Sequence, residues 1–245
     1  MTTPFQPEKI VKRFIQEGLK TEENVFDFVS TKIGQFRFRP AHSIAELKEK
    51  QNSKVGELFE VFCVLYLEAN GYVARLLSEI SAEELKTYKL GTKDVGIDII
   101  AIKGDEICAV QCKYRSKTVD KNKRTVHRVT WRDVSTFIAL CTTTGPWTKH
   151  LVMTNADYVT RYGHRGPKDQ TLAKETFRST SKEKWIEMSI ETGNSVSSAS
   201  GSAGSSTSGT TQTGSTTQTT TQSIDIRALR QLWLDRIMQN KNDQT

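Results

Sequence analysis

Residues 94–115 read DVGIDIIAIKGDEICAVQCKYR, and the organisation of the chain turns on them. The dipeptide Gly104-Asp105 is the signal for a tight hairpin of type I′ or II′. The runs beside it, Val95–Lys103 and Glu106–Tyr114, are rich in Ile, Val and Cys, as strands are. With Gly104 and Asp105 as the turn, Lys103 pairs with Glu106 and Asp98 falls opposite Gln111. Side chains alternate along a strand, so Lys113 shares the face of Gln111, and the pairing brings Asp98 to the same face. The other face then takes Ile97, Ile99, Ala101, Cys108, Val110 and Cys112, an apolar set that packs into a core and directs the cysteines away from the polar group.

Outward from the hairpin, helices are predicted at about Pro7–Leu19, Glu22–Thr31 and Ser43–Asn70, the last ended by Gly71. Downstream, Thr130 with Asp133 forms a capping box opening the helix WRDVSTFIALC, whose Val134, Phe137, Ile138 and Cys141 can face a core. Gly145-Pro146 breaks the chain and Trp147–Thr154 reads as a further strand. The order helix, strands, helix, strand predicts an α/β fold, a mixed sheet covered by helices.

A carboxylate (Asp98), an amide oxygen (Gln111) and an ammonium group (Lys113) on one face suit metal-assisted phosphodiester hydrolysis. Hard oxygens hold Mg²⁺, and the ammonium stabilises hydroxide or the charge developing at phosphorus. A hairpin with a solvated polar edge is the plain alternative, because an acid followed by [DEQ]xK recurs by chance in ordinary chains. The context adds weight: DVGID opens one strand, and AVQCKY on its partner runs straight into a basic segment.

At these residues the sequence resembles the PD-(D/E)xK nuclease superfamily, and in particular its Mrr-like restriction endonuclease branch. The resemblance covers about residues 50 to 160. It is carried by Gly56-Glu57-Leu58-Phe59-Glu60, by Gly96-Ile97-Asp98-Ile99-Ile100 and by Gln111-Cys112-Lys113, with TNAD at 154–157 where such domains end a strand. It implies a restriction-endonuclease-like αβββαβ core and a Mg²⁺-dependent deoxyribonuclease, with Mn²⁺ as a substitute cation. Asp98, Gln111, the Cys112 backbone carbonyl and Glu60 are the implied metal ligands, and Lys113 serves the water or the transition state. Gln111 stands where the superfamily usually has an acid, which removes one negative charge from the site. Ile97 stands in place of the proline of the superfamily's name. Glu57, Glu60 and Glu68 lie in one helical stripe and also fit a solvated face; the resemblance selects Glu60. Asp94 is a supporting acid or a turn former.

The chain has 35 Lys and Arg against 28 Asp and Glu. Residues 191–245 are charge-balanced, so the basic excess belongs to residues 1–190. Gln111–Arg132 concentrates it, holding Lys113, Arg115, Lys117, Lys121, Lys123, Arg124, Arg128 and Arg132 against Asp120 alone. A solvated loop would account for such a run. As a nucleic-acid-binding surface, Arg115, Lys117, Lys121, Lys123, Arg124, Arg128 and Arg132 would neutralise phosphates. His127, His150 and His164 fall in no spaced motif.

Residues 192–222 are Ser, Thr, Gly, Gln or Asn at 28 of 31 positions, without a charge. Such a stretch has little apolar surface to offset the entropy of ordering and reads as a disordered linker. Beyond it, SIDIRALRQLWLDRIMQN sets Ile226, Leu229, Trp233 and Ile237 near one helical face. The predicted domains are therefore a helical extension at 1–45, the nuclease-like domain at 46–190, the linker at 191–222 and an amphipathic helix at 223–245. No apolar run approaches the roughly 20 residues of a membrane span, the start MTTPFQPEKI lacks a signal-peptide pattern, and the four cysteines have no CxxC spacing. These features predict an intracellular protein of the cytoplasm or nucleus, with no membrane association.

The expected partner is DNA, with a dimer for double-strand cleavage and a protein partner for the terminal helix. The resemblance adds a helicase or translocase. Competing readings are a Holliday-junction-type resolving nuclease, a catalytically idle DNA-binding module attached to a helicase or other partner, and a protein-interaction adaptor using the terminal helix.

Overall fold

The structure, a computed structural model, describes residues 5–37, 44–91, 96–119, 122–160 and 168–190, with side chains from residue 51 onward in the second of these segments. Asp94, Lys121, His164, the linker at 191–222 and the helix expected at 223–245 lie outside the described residues.

Helix α1 (Pro7–Gly18) carries Pro at its start, where the missing N–H costs nothing. Helix α2 (Val25–Gln35) begins three residues later than the expected Glu22, because the Asn24 side chain accepts from the N–H groups of Phe26 and Asp27 and caps it there. Helix α3 (Ile44–Ala69) ends at Gly71, whose φ of +82° suits glycine and lets Tyr72 N–H bond back to Leu67 C=O. Then come β1 (Val73–Leu76), a 3-10 turn at Leu77–Glu79, α4 (Ala82–Thr87), β2 (Ile99–Lys103) and β3 (Glu106–Lys113). Two short strands, β4 (Thr118–Val119) and β5 (Thr125–Val126), form a ribbon. They are followed by β6 (Arg128–Val129), α5 (Trp131–Thr143), β7 (Lys149–Thr154), β8 (Tyr158–Val159), β9 (Asp169–Leu172), α6 (Lys174–Arg178) and α7 (Lys182–Ser189).

The main sheet has the order β1-β2-β3-β7-β9. The first three strands are antiparallel neighbours, and β7 and β9 run parallel to β3. The β2–β3 hairpin has the expected register, Lys103 with Glu106 and Ile99 with Val110, around a Gly104 at φ +55°. The expected capping box opens α5, with Thr130 N–H and hydroxyl both donating to Asp133. Helix α5 is the crossover between parallel β3 and β7. The succession α3-β1-β2-β3-α5-β7 is the restriction-endonuclease-like αβββαβ core.

Each face of the sheet has its own apolar layer. On one, Ile99, Ala101, Cys108, Val110, Cys112, Leu151 and Met153 pack against α3, together with α1, α2, α6 and α7. On the other, Ile100, Ala109 and Val152 pack against Val134, Phe137 and Cys141 of α5. The amino-terminal helices belong to the first layer through Val11, Ile15, Phe26, Val29 and Ile33, all buried. Phe62 of α3 is its hub, with ring contacts to Phe26, Phe59, Tyr66, Phe177 and Trp185.

Because Phe62 ties four elements together, Phe62→Ala should destabilise the protein by about 3–5 kcal/mol. Urea denaturation should show this as a lower midpoint with an unchanged slope. Loss of less than about 1 kcal/mol would mean that the layer closes over the missing ring.

Candidate active site

The hairpin departs from regular pairing at one residue. The Asp98 N–H bonds to the Val110 carbonyl at 2.8 Å, although Val110 is already the partner of Ile99. The Asp98 carboxylate then accepts the N–H of Cys112 at 2.6 Å, replacing the backbone acceptor a continuing strand would supply. Toward β1 the residue keeps step, its carbonyl accepting from Leu77 N–H at 2.8 Å in the register of β1 with β2. The irregularity is thus a one-sided slip against β3, akin to a bulge.

This slip corrects the expected facing. Ile97 joins the layer under α5, whereas Ile99, two residues on, joins the layer under α3, so alternation fails between them. Gly96 makes the path feasible. Its φ is +137°, and a Cβ there would lie 3.2 Å from the Phe137 Cα of α5, so a side chain would meet both backbone strain and a helix backbone.

Helix α3 delivers Glu60 to the same place. Burial, with Asp98 and Glu57 adding repulsion, raises the Glu60 carboxyl from 4.5 to about 7, and Lys113 opposes the shift. Burial likewise raises Asp98, against the Cys112 N–H and the Lys113 charge. Glu60, Asp98 and Lys113 therefore sit within one another's fields. Glu57 is held by Lys54 at 2.7 Å, on the same helix.

The cysteines are closer than expected. Cys63 of α3 and Cys112 of β3 are buried in the same layer, and both feel the charges of Glu60 and Asp98. Burial first, and those charges after it, push both thiols up. Cys112 keeps the expected apolar face, opposite Gln111 and Lys113, yet lies close enough to the acids to feel their charge. Gln111 and Lys113 do share a face, that of Ala109. Gln111 is 4% exposed, and its Oε1 has no hydrogen-bond partner among the described residues. Asp98, Glu60 and Lys113 are thus brought together at the end of the sheet, with the Gln111 acceptor buried next to Cys112.

Past Lys113, the Tyr114 hydroxyl donates to Ser30 C=O of α2 at 2.9 Å, and its oxygen fills the space a Cβ on Gly34 would need. The amino-terminal helices thereby touch the strand that carries the lysine. Lys117, Lys123, Arg124, Arg128 and Arg132 are exposed, spread over the β4–β5 ribbon, β6 and the start of α5. Arg115 differs: it pairs with Asp133 at 2.7 Å. Thr154 and Asn155, whose side chains bind the backbone of Lys113 and Arg115 respectively, had no assigned role in the sequence. Their signal was a polar pair closing an apolar strand.

With that geometry in place, residues 72–181 match a family model described as restriction endonuclease. Over these residues the chain is similar to restriction endonuclease domains, consistent with the PD-(D/E)xK, Mrr-like resemblance, and the fold is restriction-endonuclease-like. The match spans β1 to Ser181, the N-cap of α7, and leaves α3, with Glu60, outside it. No curated protein and no solved structure matches the chain. Among the described residues, no helix is long and apolar enough to cross a membrane.

The raised Glu60 carboxyl has a consequence for stability. The folded state holds this proton more tightly than the unfolded chain, so the stabilisation is full below about 4.5 and is lost as pH rises through about 7. In EDTA, the thermal midpoint should fall between pH 5 and pH 8, and Glu60→Gln should flatten that fall. An equal slope in both proteins would show that the carboxyl ionises at its ordinary value.

Proposed function

We propose that the protein is a metal-dependent endonuclease that hydrolyses DNA phosphodiester bonds. The observation that carries this reading is the convergence of two half-buried carboxylates, Asp98 and Glu60, with the Lys113 ammonium at the end of β3. Two acids held together in a half-buried place repel, and a cation between them relieves that repulsion. The Oε1 of Gln111 is a buried acceptor that finds no partner among the described residues. Among the described residues no cluster of three His, Cys, Asp or Glu is present. The donors here are instead two carboxylates and an amide oxygen, which fit a hard cation such as Mg²⁺, or Mn²⁺.

Asp98, Glu60, Gln111 and the Cys112 carbonyl would hold that ion. The carbonyl is a candidate because a strand residue sends its N–H and C=O to the same side, and the Cys112 N–H already reaches Asp98. When bound, the metal would polarise the scissile phosphate and lower the pKa of a water. The Lys113 ammonium would orient the attacking water or balance the charge growing on the phosphoryl oxygens. Asp98 is held by its bond to Cys112 N–H and cannot swing away as substrate arrives. Lys117, Lys123, Arg124, Arg128 and Arg132 would track the phosphate backbone without reading sequence. Arg115, tied to Asp133, would brace that surface. Cleavage of both strands would take two copies of the chain, and the segment at 223–245 would recruit a protein partner such as a translocase.

Supercoiled, linear and branched DNA incubated with Mg²⁺, Mn²⁺ or EDTA tests the reading. Nicking should need the metal, and Asp98→Asn or Lys113→Ala should abolish it while leaving the thermal midpoint within a few degrees. Cleavage in excess EDTA, or undiminished cleavage by Lys113→Ala, would remove the mechanism.

Binding should separate from chemistry. Replacing Lys117, Lys123 and Arg128 together by Ala should weaken DNA affinity for every sequence and flatten the log K against log salt plot by roughly 0.9 per lost contact. Asp98→Asn should bind metal-free DNA as tightly as the parent or tighter, since it removes a negative charge facing phosphates. An unchanged salt slope in the triple variant would place the DNA elsewhere.

A further inference from the structure

Beyond Lys113 the parallel pairing of β3 with β7 stops, the last pair being Lys113 with Thr154. Two buried side chains at the end of β7 continue it. The Thr154 hydroxyl, fully buried, donates to the Lys113 carbonyl at 2.6 Å and accepts from Ala156 N–H at 3.1 Å. Asn155, 2% exposed, treats Arg115 as a strand neighbour would: its Oδ1 accepts the Arg115 N–H at 2.7 Å and its Nδ2 donates to the Arg115 carbonyl at 2.9 Å. That carbonyl accepts a second bond, from His127 Nε2 at 2.8 Å, so this nitrogen carries the proton. The Asn155 amide also reaches Ser30 Oγ at 3.4 Å.

The peptide of Lys113 and that of the residue two beyond it are therefore both fixed from β7, through side chains. A backbone ladder would have done the same only if β7 ran on, and instead the chain turns away, with Asp157 N–H bonding to His127 C=O. We infer that Thr154 and Asn155 are positioning residues that act through Lys113, setting the Cα from which its ammonium reaches Asp98 and Glu60. This rests on the proposed role of Lys113. A long, flexible lysine acts at a defined point only if its backbone is fixed, and a displacement of about 1 Å costs on the order of a hundredfold in rate.

The test uses the full chain with supercoiled DNA, and compares Thr154→Val, which keeps shape and drops the hydroxyl, with Thr154→Ser, which restores it. Asn155→Asp keeps the acceptor for Arg115 N–H and loses the donor to its carbonyl. Three readouts are taken: cleavage rate at saturating DNA with Mg²⁺, DNA affinity in EDTA, and the Lys113 signal in ¹³C NMR of the reductively methylated protein. That signal is assigned by its loss in Lys113→Arg. Thr154→Val should slow cleavage by about a hundredfold at unchanged affinity and shift the Lys113 signal, and Thr154→Ser should return both toward the parent. Asn155→Asp should move rate and signal in the same direction as Thr154→Val. Unaltered rate and signal in Thr154→Val would overturn the inference while the parent's cleavage kept the nuclease reading. A parent that cuts nothing, with a Lys113 signal that still follows the Thr154 hydroxyl, would overturn the nuclease reading and leave the positioning intact. If Thr154→Val does not fold, a Lys113 signal unmoved in both Asn155→Asp and Thr154→Ser overturns the inference, and one displaced in Asn155→Asp supports it.

Discussion

The hydrogen bond from Cys112 N–H to the Asp98 carboxylate holds the site together. A sheet that loses one strand ordinarily leaves backbone donors to be satisfied by water or a cap. Here an acid takes the vacated position, so the same contact that finishes the β2–β3 ladder fixes a carboxylate at the sheet's end. The 2.6 Å bond is charge-assisted, and it offsets part of the cost of burying Asp98. Everything else arranges itself around that point. Helix α3 brings Glu60 from one side, β3 brings Lys113 from the strand itself, and Gly96 lets the approaching chain pass under α5.

Burial makes the cluster useful. Solvent screening would leave two carboxylates and an ammonium nearly independent, whereas in this recess burial and the Asp98 charge push Glu60 up to about 7 and the Lys113 charge opposes the rise of both acids. The cost of crowding acids is carried by the packing of α3, whose Leu58, Phe59 and Phe62 are buried on the same helix as Glu60. The amino-terminal helices contribute to that packing and reach the site's far edge through Tyr114 and Ser30. Helix α2 is thus linked to the strand bearing the lysine by a hydrogen bond and by the absence of a side chain at Gly34.

Much of the frame was legible because it follows from neighbours in sequence. Gly104-Asp105 sets the turn and with it the register, Thr130 and Asp133 start α5, Gly71 stops α3, and the polar triplet Asp98, Gln111 and Lys113 stands out from apolar surroundings. Strand β1 was not legible, being four residues with a charged Arg75 among them. Nor was the end of β9, whose DQTL has no strand pattern and owes its conformation to β7. Alternation misplaced Ile97 because it assumes an unbroken ladder, and the ladder breaks at Asp98, whereas Cys108 and Cys112 took the apolar face it assigned them.

The sequence by itself determined the hairpin and its register, the helix boundaries that rest on caps and glycines, the α/β class and the identity of the polar residues, all of them local consequences of backbone preference and period. Tertiary structure decided how those residues are used. The slip at Asp98 depends on α5 pressing against Gly96, the raised carboxyl of Glu60 on burial next to an acid 38 positions away in the chain, and the anchoring of Lys113 on side chains from a parallel strand reached through a helical crossover. Pairings between such distant residues are settled by packing, since no rule of local spacing links Glu60 to Asp98 or Thr154 to Lys113.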